Sequence, residues 1–366
     1  MNIPFLDLKA QYHRLRPQID AAVRRVMESG QFILGEEVAA FEKEFADSCG
    51  VKHAVTVANG TEAIQLVLQG CGIQRGDEVI TSTFTAVATV AAIEATGARP
   101  VLVDIDPKTY CIDPAGVQAA ITSRTRVILP VHLFGFPADL SPLLTIVEKH
   151  HLILIEDCAQ AHGAKYWQKS VGSWGKAGAF SFYPTKNLGA YGDGGAIVTK
   201  DAELAEHLQR LRQYGWNSDK ISEEKGMNSR LDELQAAILR VKLADLPTAN
   251  ARRVHLAKLY RRLLAGSKAT LPAARAGSEP VYHLFVIRHP QRDGLRHYLA
   301  SKGIATLVHY PEPVHLQKGY SDLGYPAGSF PESEKASREV LSLPLYPEMT
   351  DEIVEEVCQA VLSFRN

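Results

Sequence analysis

Several features that would settle the class of a protein quickly are scarce or missing in this chain. Its 366 residues hold five cysteines (Cys49, Cys71, Cys111, Cys158 and Cys358), scattered, odd in number and without a CxxC pair. That count argues against a disulfide framework or a zinc site and for thiols kept reduced. No run approaches the ~20 apolar residues of a membrane helix. The opening MNIPFLDLKAQYHRLRPQID carries charge throughout where a secretory leader would be apolar. Forty Lys and Arg stand against 41 Asp and Glu, a net charge of −1, so there is no basic excess to draw nucleic acid or an anionic membrane. No GxxxxGKS/T is present, and no GxGxxG follows a strand pattern, which disfavours P-loop and dinucleotide sites. The expectation is a soluble, cytoplasmic protein that holds any anionic ligand in a local pocket.

The patterns that are present point to an α/β architecture. From about residue 53, short apolar, β-branched runs (HAVTVA, DEVITSTF, RPVLVDID, RVILPVHLFG, LILIED, GAFSFY and GAIVTK) alternate with amphipathic segments such as 61–70 and 140–150. This alternation predicts a largely parallel sheet buried on both faces. GAFSFY and GAIVTK are joined without a helix, so one antiparallel neighbour is expected. Beyond Lys200 the pattern turns helical, with one helix ending at Pro247 and a second over 248–264. A loose segment, 267–280, then leads to a small module read as strand VYHLFVIRH, helix RDGLRHYLASKG and strand IATLVHY. The length is more than one core comfortably fills. The expected division is a large portion, residues 1–246, and a smaller C-terminal α/β portion, residues 247–366.

Four stretches end apolar runs with polar or small residues, where open α/β sheets bind ligands. VANGTEAI passes through Gly60 and Thr61 into a helix, whose free N–H groups suit a phosphate; it reads equally as an ordinary corner with a Thr cap. LILIED sets Glu156 and Asp157 after four apolar residues, and a carboxylate there needs a cationic partner; capping the next helix is the plainer reading. Gln160 and His162 would supply neutral hydrogen bonds nearby. Phe84, in TSTFTAVATV, is either a core aromatic or a plate for a planar ring. SFYPTKNLGAYGDGGAI places Lys186 between an aromatic strand end and a run of glycines that would let backbone pass close to a ligand. Together these are the parts a pyridoxal phosphate enzyme needs: a lysine amine to condense with the aldehyde, an aspartate to keep the pyridinium protonated, and a helix start for the phosphate.

ANGTEAI, EDCAQAHGA, SFYPTKNLGAYGDGGAI and GMNSRLDELQAAIL, in that order, resemble the motifs of the DegT/DnrJ sugar-nucleotide aminotransferases, over nearly the whole chain. The resemblance implies a fold type I pyridoxal phosphate-dependent transferase with a mostly parallel seven-stranded sheet. It implies that Lys186 binds the cofactor covalently and shuttles a proton, and that Asp157 pairs with the pyridine nitrogen. Gln160 would lie near the ring hydroxyl, with Phe84 on one ring face and Ala159 on the other. Gly60, Thr61 and Ser181 would hold the phosphate, joined by Asn228 from a second subunit of a homodimer. Arg230, Tyr183, His309 and Tyr310 would face the nucleotide sugar. The implied donor is glutamate, with the cofactor alternating with pyridoxamine phosphate. SFYPxKNLGAYG and HYPxPVHLQ look more like the branch that aminates C3 of a nucleotide-linked (dTDP or UDP) 3-ketohexose than like the C4 branch, whose lysine motif has His at the position of Tyr183. A cofactor-binding regulator without turnover is the alternative from another class. No metal is expected, because His309 and His315 have no visible third ligand.

Overall fold

The computed structural model describes residues 2–273 and 275–365; within the expected loose segment, Ala274 lies outside them. All seven apolar runs form strands: β1 (His53–Val57), β2 (Glu78–Ser82), β3 (Arg99–Val103), β4 (Thr125–Leu129), β5 (Ile153–Asp157), β6 (Ala177–Ser181) and β7 (Gly195–Thr199). They join in one sheet of order β1-β7-β6-β5-β4-β2-β3. β7 runs antiparallel to both its neighbours and every other pairing is parallel. The direct GAFSFY–GAIVTK connection thus makes the antiparallel pair its length demands.

Both faces of this sheet are covered, and the strand side chains alternate between them as a period of two requires. Val55, Val57, Ala177, Ala179 and Ile197 pack on one side with Leu66, Val67 and Leu208. These partners lie on α3 (Gly60–Gly70) and α7 (Ala202–Leu211). Ala54, Phe180, Phe182, Ala196 and Val198 pack on the other side with Phe41 and Phe45 of α2 (Glu36–Cys49). The alternation also parts the two acids that end β5. Glu156 accepts hydrogen bonds from Gly172, Trp174 and Gly175 N–H and pairs with His132 at 3.1 Å, all within the protein. Asp157 takes the opposite direction.

Pro247 does not end a helix. α8 runs unbroken over Glu233–Leu263, 31 residues, and packs against both α1 (Leu8–Ser29) and α2. An interior proline costs roughly 3 kcal/mol by removing one N–H and crowding the preceding turn. Burial on both sides of it outweighs that. Ala236 and Leu239 sit in the core under the sheet, and Leu256, Ala257 and Tyr260 sit in the core of the C-terminal module.

In that module the expected strand over 304–310 is also corrected. The paired strands are β8 (Phe285–Arg288) and β9 (Val340–Leu343), antiparallel, with α9 (Arg292–Ser301), α10 (Pro331–Glu339) and α11 (Asp351–Ser363). Residues 304–310 make only isolated bridges, Ile3 with Ile304 and Leu307 with Ser342. The segment leaves the sheet edge after one bridge and crosses toward the end of β5, where Tyr310 meets Gln160. No helix among the described residues is long and apolar enough to cross a membrane.

Candidate functional site

α3 begins against the ends of β6 and β7. Asn59 caps it by accepting from Glu62 N–H at 2.9 Å. The approach is close enough to dictate glycine twice. A Cβ on Gly60 would lie 2.5 Å from the Ser181 Cβ, and one on Gly195 would lie 2.5 Å from the Asn59 carbonyl carbon. Gly60, Thr61 and Ser181 therefore share one small cradle at a helix N-terminus, where backbone N–H groups and the helix dipole favour an anion.

The end of β5 forms the floor. Asp157 is 3% exposed. Its Oδ1 accepts from Ala159 N–H at 3.0 Å and its Oδ2 from the Thr89 hydroxyl at 2.8 Å. Burial pushes its carboxyl pKa up, against those two donors and the Lys186 ammonium. Lys186 moves the other way. Burial draws its ammonium down to about 8, and Asp157 resists the change. Gln160 is held at both ends of its amide, accepting from Phe134 N–H at 2.7 Å and donating to the Tyr310 hydroxyl at 3.0 Å. Burial lifts the Tyr310 phenol to about 12, so it stays protonated.

These groups line a cavity of about 310 Å³ that gathers Gly60, Thr61, Asp157, Ala159, Gln160, Ser181, Tyr183 and Lys186. Asn228 and Arg230 line a neighbouring cavity of about 360 Å³ with Asp232 and Gln235, and Asp193 stands on both walls. His309 faces a third cavity, with its Nδ1 2.9 Å from the Ser342 hydroxyl. Burial pulls its imidazole down to about 4.

Three sequence expectations are corrected. Phe84 is not on the cavity wall: it is fully buried among Tyr110, Phe134 and Tyr310, and Ala86, two residues on, takes the wall position. β2 ends at Ser82, so the turn that follows sets which way residue 84 points. His162 supplies no hydrogen bond to the site. It is buried against the Phe180 and Phe182 rings, its pKa is drawn down to about 3, and among the described residues neither ring nitrogen has a partner. The glycine run serves the chain itself, since Gly189 abuts the Pro184 carbonyl, Gly194 the Leu231 side chain and Gly195 the Asn59 backbone.

Sequence reasoning missed two supports. Thr85 and Thr89, bonded to each other at 3.1 Å, carry the Asp157 contact; their spacing of four inside the apolar TAVATV was the available signal. Lys242 is 4% exposed, donates to the Gly189 carbonyl at 2.6 Å and lies 4.1 Å from the centre of the Tyr191 ring, tying down the loop that follows Lys186. A lysine on the buried face of a helix was the only hint.

Comparison with known proteins places the chain as a whole. The profile of the DegT/DnrJ/EryC1/StrS aminotransferase family matches residues 13–362. A dTDP-3-amino-3,4,6-trideoxy-alpha-D-glucose transaminase of Streptomyces venezuelae is 50% identical over 348 residues, 95% of this chain and 92% of its own. A dTDP-3-amino-3,6-dideoxy-alpha-D-galactopyranose transaminase of Aneurinibacillus thermoaerophilus is 50% identical, covering 98% of each chain. Among solved structures, S. venezuelae DesV superposes with a TM-score of 0.98 at 48% identity over 100% of both chains.

Proposed function

From its membership of the DegT/DnrJ/EryC1/StrS aminotransferase family, which makes this chain a pyridoxal phosphate-dependent aminotransferase, we propose that it transfers an amino group from glutamate to C3 of a nucleotide-linked 3-ketohexose. The observation that carries the reading is one cavity that holds a lysine of lowered pKa, a buried aspartate and an open helix start. The C3 assignment rests on Tyr183, His309 and Tyr310 and on the 3-amino sugars named for the two relatives.

The residues suit the cofactor. The cradle of Gly60, Thr61 and Ser181 has room for a phosphate only because residue 60 has no Cβ, and Asp157 offers a charge where a protonated ring nitrogen would pair. When bound, the cofactor's ring withdraws electrons from the carbon that carries the amine. The chain supplies the rest. Asp157 holds the proton on the ring nitrogen, and Thr89 and the Ala159 N–H keep Asp157 oriented and charged. Lys186 Nζ takes and returns the proton that moves between the amine-bearing carbon and the cofactor. Gln160, fixed through Phe134 and Tyr310, positions the opposite edge, while Tyr183, 52% exposed, borders the mouth where the sugar would enter.

The active unit in this reading is a homodimer. Asn228 and Arg230 lie on a wall beside the cofactor cavity, and a second copy would bring its Asn228 to the phosphate. Residues 1–246 form the cofactor-binding portion and 247–366 the covering portion, joined through α8. Incubation of the holoenzyme with glutamate and with matched 3-keto and 4-keto nucleotide sugars tests the proposal. The expected result is 2-oxoglutarate and a 3-amino sugar. Preference for the 4-keto substrate would move the reaction to C4, and no amine transfer from any donor would favour a cofactor-binding regulator.

A further inference from the structure

Most arginines of this chain that could attract an anion are already engaged. Arg14, Arg124, Arg240, Arg252, Arg275 and Arg288 each meet an aspartate or glutamate. Among the described residues Arg253, on α8, is the one buried arginine that meets neither. It is 4% exposed, and among the described residues no carboxylate lies within ion-pair distance of it. Its Nη1 donates to the Leu345 carbonyl at 3.0 Å and at greater length to the carbonyls of His283 and Tyr282. Glu348 acts on it only from a distance and is itself bound by Arg14. A buried cation without an anion is expensive to keep, and burial draws its pKa down to about 10.

The guanidinium does not end in packed core. It lines a cavity of about 310 Å³ with Thr185, His283, Leu307 and His309, a volume at the lower end of small-molecule sites, about 300–1,000 Å³. Thr185 directly precedes Lys186, so this cavity abuts the segment that carries the reactive amine. Both histidines on its wall are held neutral by burial, which leaves Arg253 as its permanent positive charge. The rim is open, with Thr185 exposed and Leu307 43% exposed.

A transamination cycle brings two substrates in turn to one lysine. The amino-acid donor carries a carboxylate beside its amine, whereas the hexose ring of the keto-sugar substrate is uncharged and that substrate's negative charge sits on its diphosphate. With a net charge of −1 the molecule as a whole does not attract that carboxylate, so a local cation must. We propose that the cavity beside Thr185 is the subsite for the carboxylate of the amino-acid donor, with Arg253 as its cation. This rests on the aminotransferase reading above. A carboxylate could also arrive on a uronic-acid nucleotide sugar, and the test separates the two sources.

The probes are L-glutamate, followed as 2-oxoglutarate formed in a single turnover of the holoenzyme, and glutarate, a dicarboxylate with no amine to transfer. On the wild-type holoenzyme, glutarate is expected to compete with glutamate. Arg253→Lys keeps the charge but loses the planar fork, and should raise the glutamate concentration at half-saturation by about tenfold or more. Binding of a nucleotide sugar whose hexose carries no carboxylate, measured by calorimetry, should stay within about twofold. Because Arg253 also braces three carbonyls, Leu307→Glu at the exposed rim provides a variant with little demand on folding. It sets a like charge in the donor's path and should weaken glutamate and glutarate together. The proposal is overturned if glutarate does not compete, or if a folded Arg253→Lys or Leu307→Glu keeps wild-type glutamate affinity. A loss shared equally with the carboxylate-free nucleotide sugar, or confined to a uronic-acid nucleotide sugar, overturns it as well. Failure of every amino donor to yield its oxo acid on the wild-type holoenzyme would instead sink the aminotransferase reading.

Discussion

A lysine must be neutral to attack an aldehyde, and an aspartate must be charged to hold a proton on a ring nitrogen. Burial disfavours charge on both. In the proposed reading the site meets the two demands by leaving Lys186 with Asp157 as its one favourable charge while giving Asp157 an N–H, a hydroxyl and the ammonium itself. At pH 7 a lysine of pKa about 8 is roughly one-tenth neutral, against less than about one-thousandth for an ordinary lysine near 10.4. The neutral form grows as pH rises through the lowered value. Cofactor uptake by the stripped protein should therefore rise about tenfold per unit below pH 8 and level off above it, as read from visible absorbance in a stopped-flow instrument. Continued steep rise to pH 10 would show an unshifted amine. Asp157→Asn should retain cofactor yet lose turnover by about a hundredfold or more, the scale of a group that supports proton transfer and charge in the transition state. Unchanged steady-state kinetics would reduce Asp157 to a helix cap. Both residues were legible in the sequence because an ionisable group against an apolar run is an anomaly. Phe84 was not, since a buried ring and a ligand-facing ring look alike in sequence and only the turn after Ser82 decides between them.

At the level of elements, the strands were easy to read and the connections less so. Seven β-branched runs became seven strands because a parallel sheet buried on both faces leaves an unbroken apolar trace. Residues 304–310 have the same composition yet pair only through single bridges at Ile304 and Leu307, because their backbone is spent on reaching Gln160 through Tyr310. Pro247 misled for the opposite reason: local propensity yielded to two cores acting on one helix. Another long-range device escapes sequence reading altogether. α2 has no capping side chain of its own, and Glu233, the first residue of α8, accepts from the N–H groups of Gly35, Glu37 and Val38 at 2.7 to 2.9 Å. Glu233→Ala would leave three donors unmet at a half-buried helix start, costing about 2–3 kcal/mol and lowering Tm by about 3–4 °C in a thermal circular dichroism scan. A drop below about 1 °C would mean that water replaces the carboxylate without loss.

The whole molecule is where the site has to be completed. Lys186 and Asn228 line different cavities of one chain, so in the shared-site reading each working centre draws on two subunits. Mixing inactive Lys186→Ala subunits with subunits disabled at Asn228 should restore about a quarter of normal activity per total site, because half the dimers formed at random are hybrids and each hybrid has one intact site. An assay of the mixture, with exchange verified by mass-tagged subunits, gives the answer. Exchange without recovery would place Asn228 in its own subunit's site. The charge balance that gave no reason to expect nucleic acid as a partner carries no information about self-association, which is why this scale was the least legible in sequence.

The uninterrupted course of α8 bears on how such enzymes can be recombined. A rod of 31 residues is about 46 Å long, seated at one end in the core under the large sheet and at the other in the C-terminal core. Tilting it by 5° about its middle would move each tip by roughly 2 Å, so the two ends keep their alignment only if they are inherited together. A chimera spliced at residue 246 would join two parental halves within a single helical turn and set their axes against each other. Crossovers before Glu233 or after Leu263 would instead exchange the lever whole, and hybrids made there should keep Lys186 and the segment of His309 and Tyr310 in alignment.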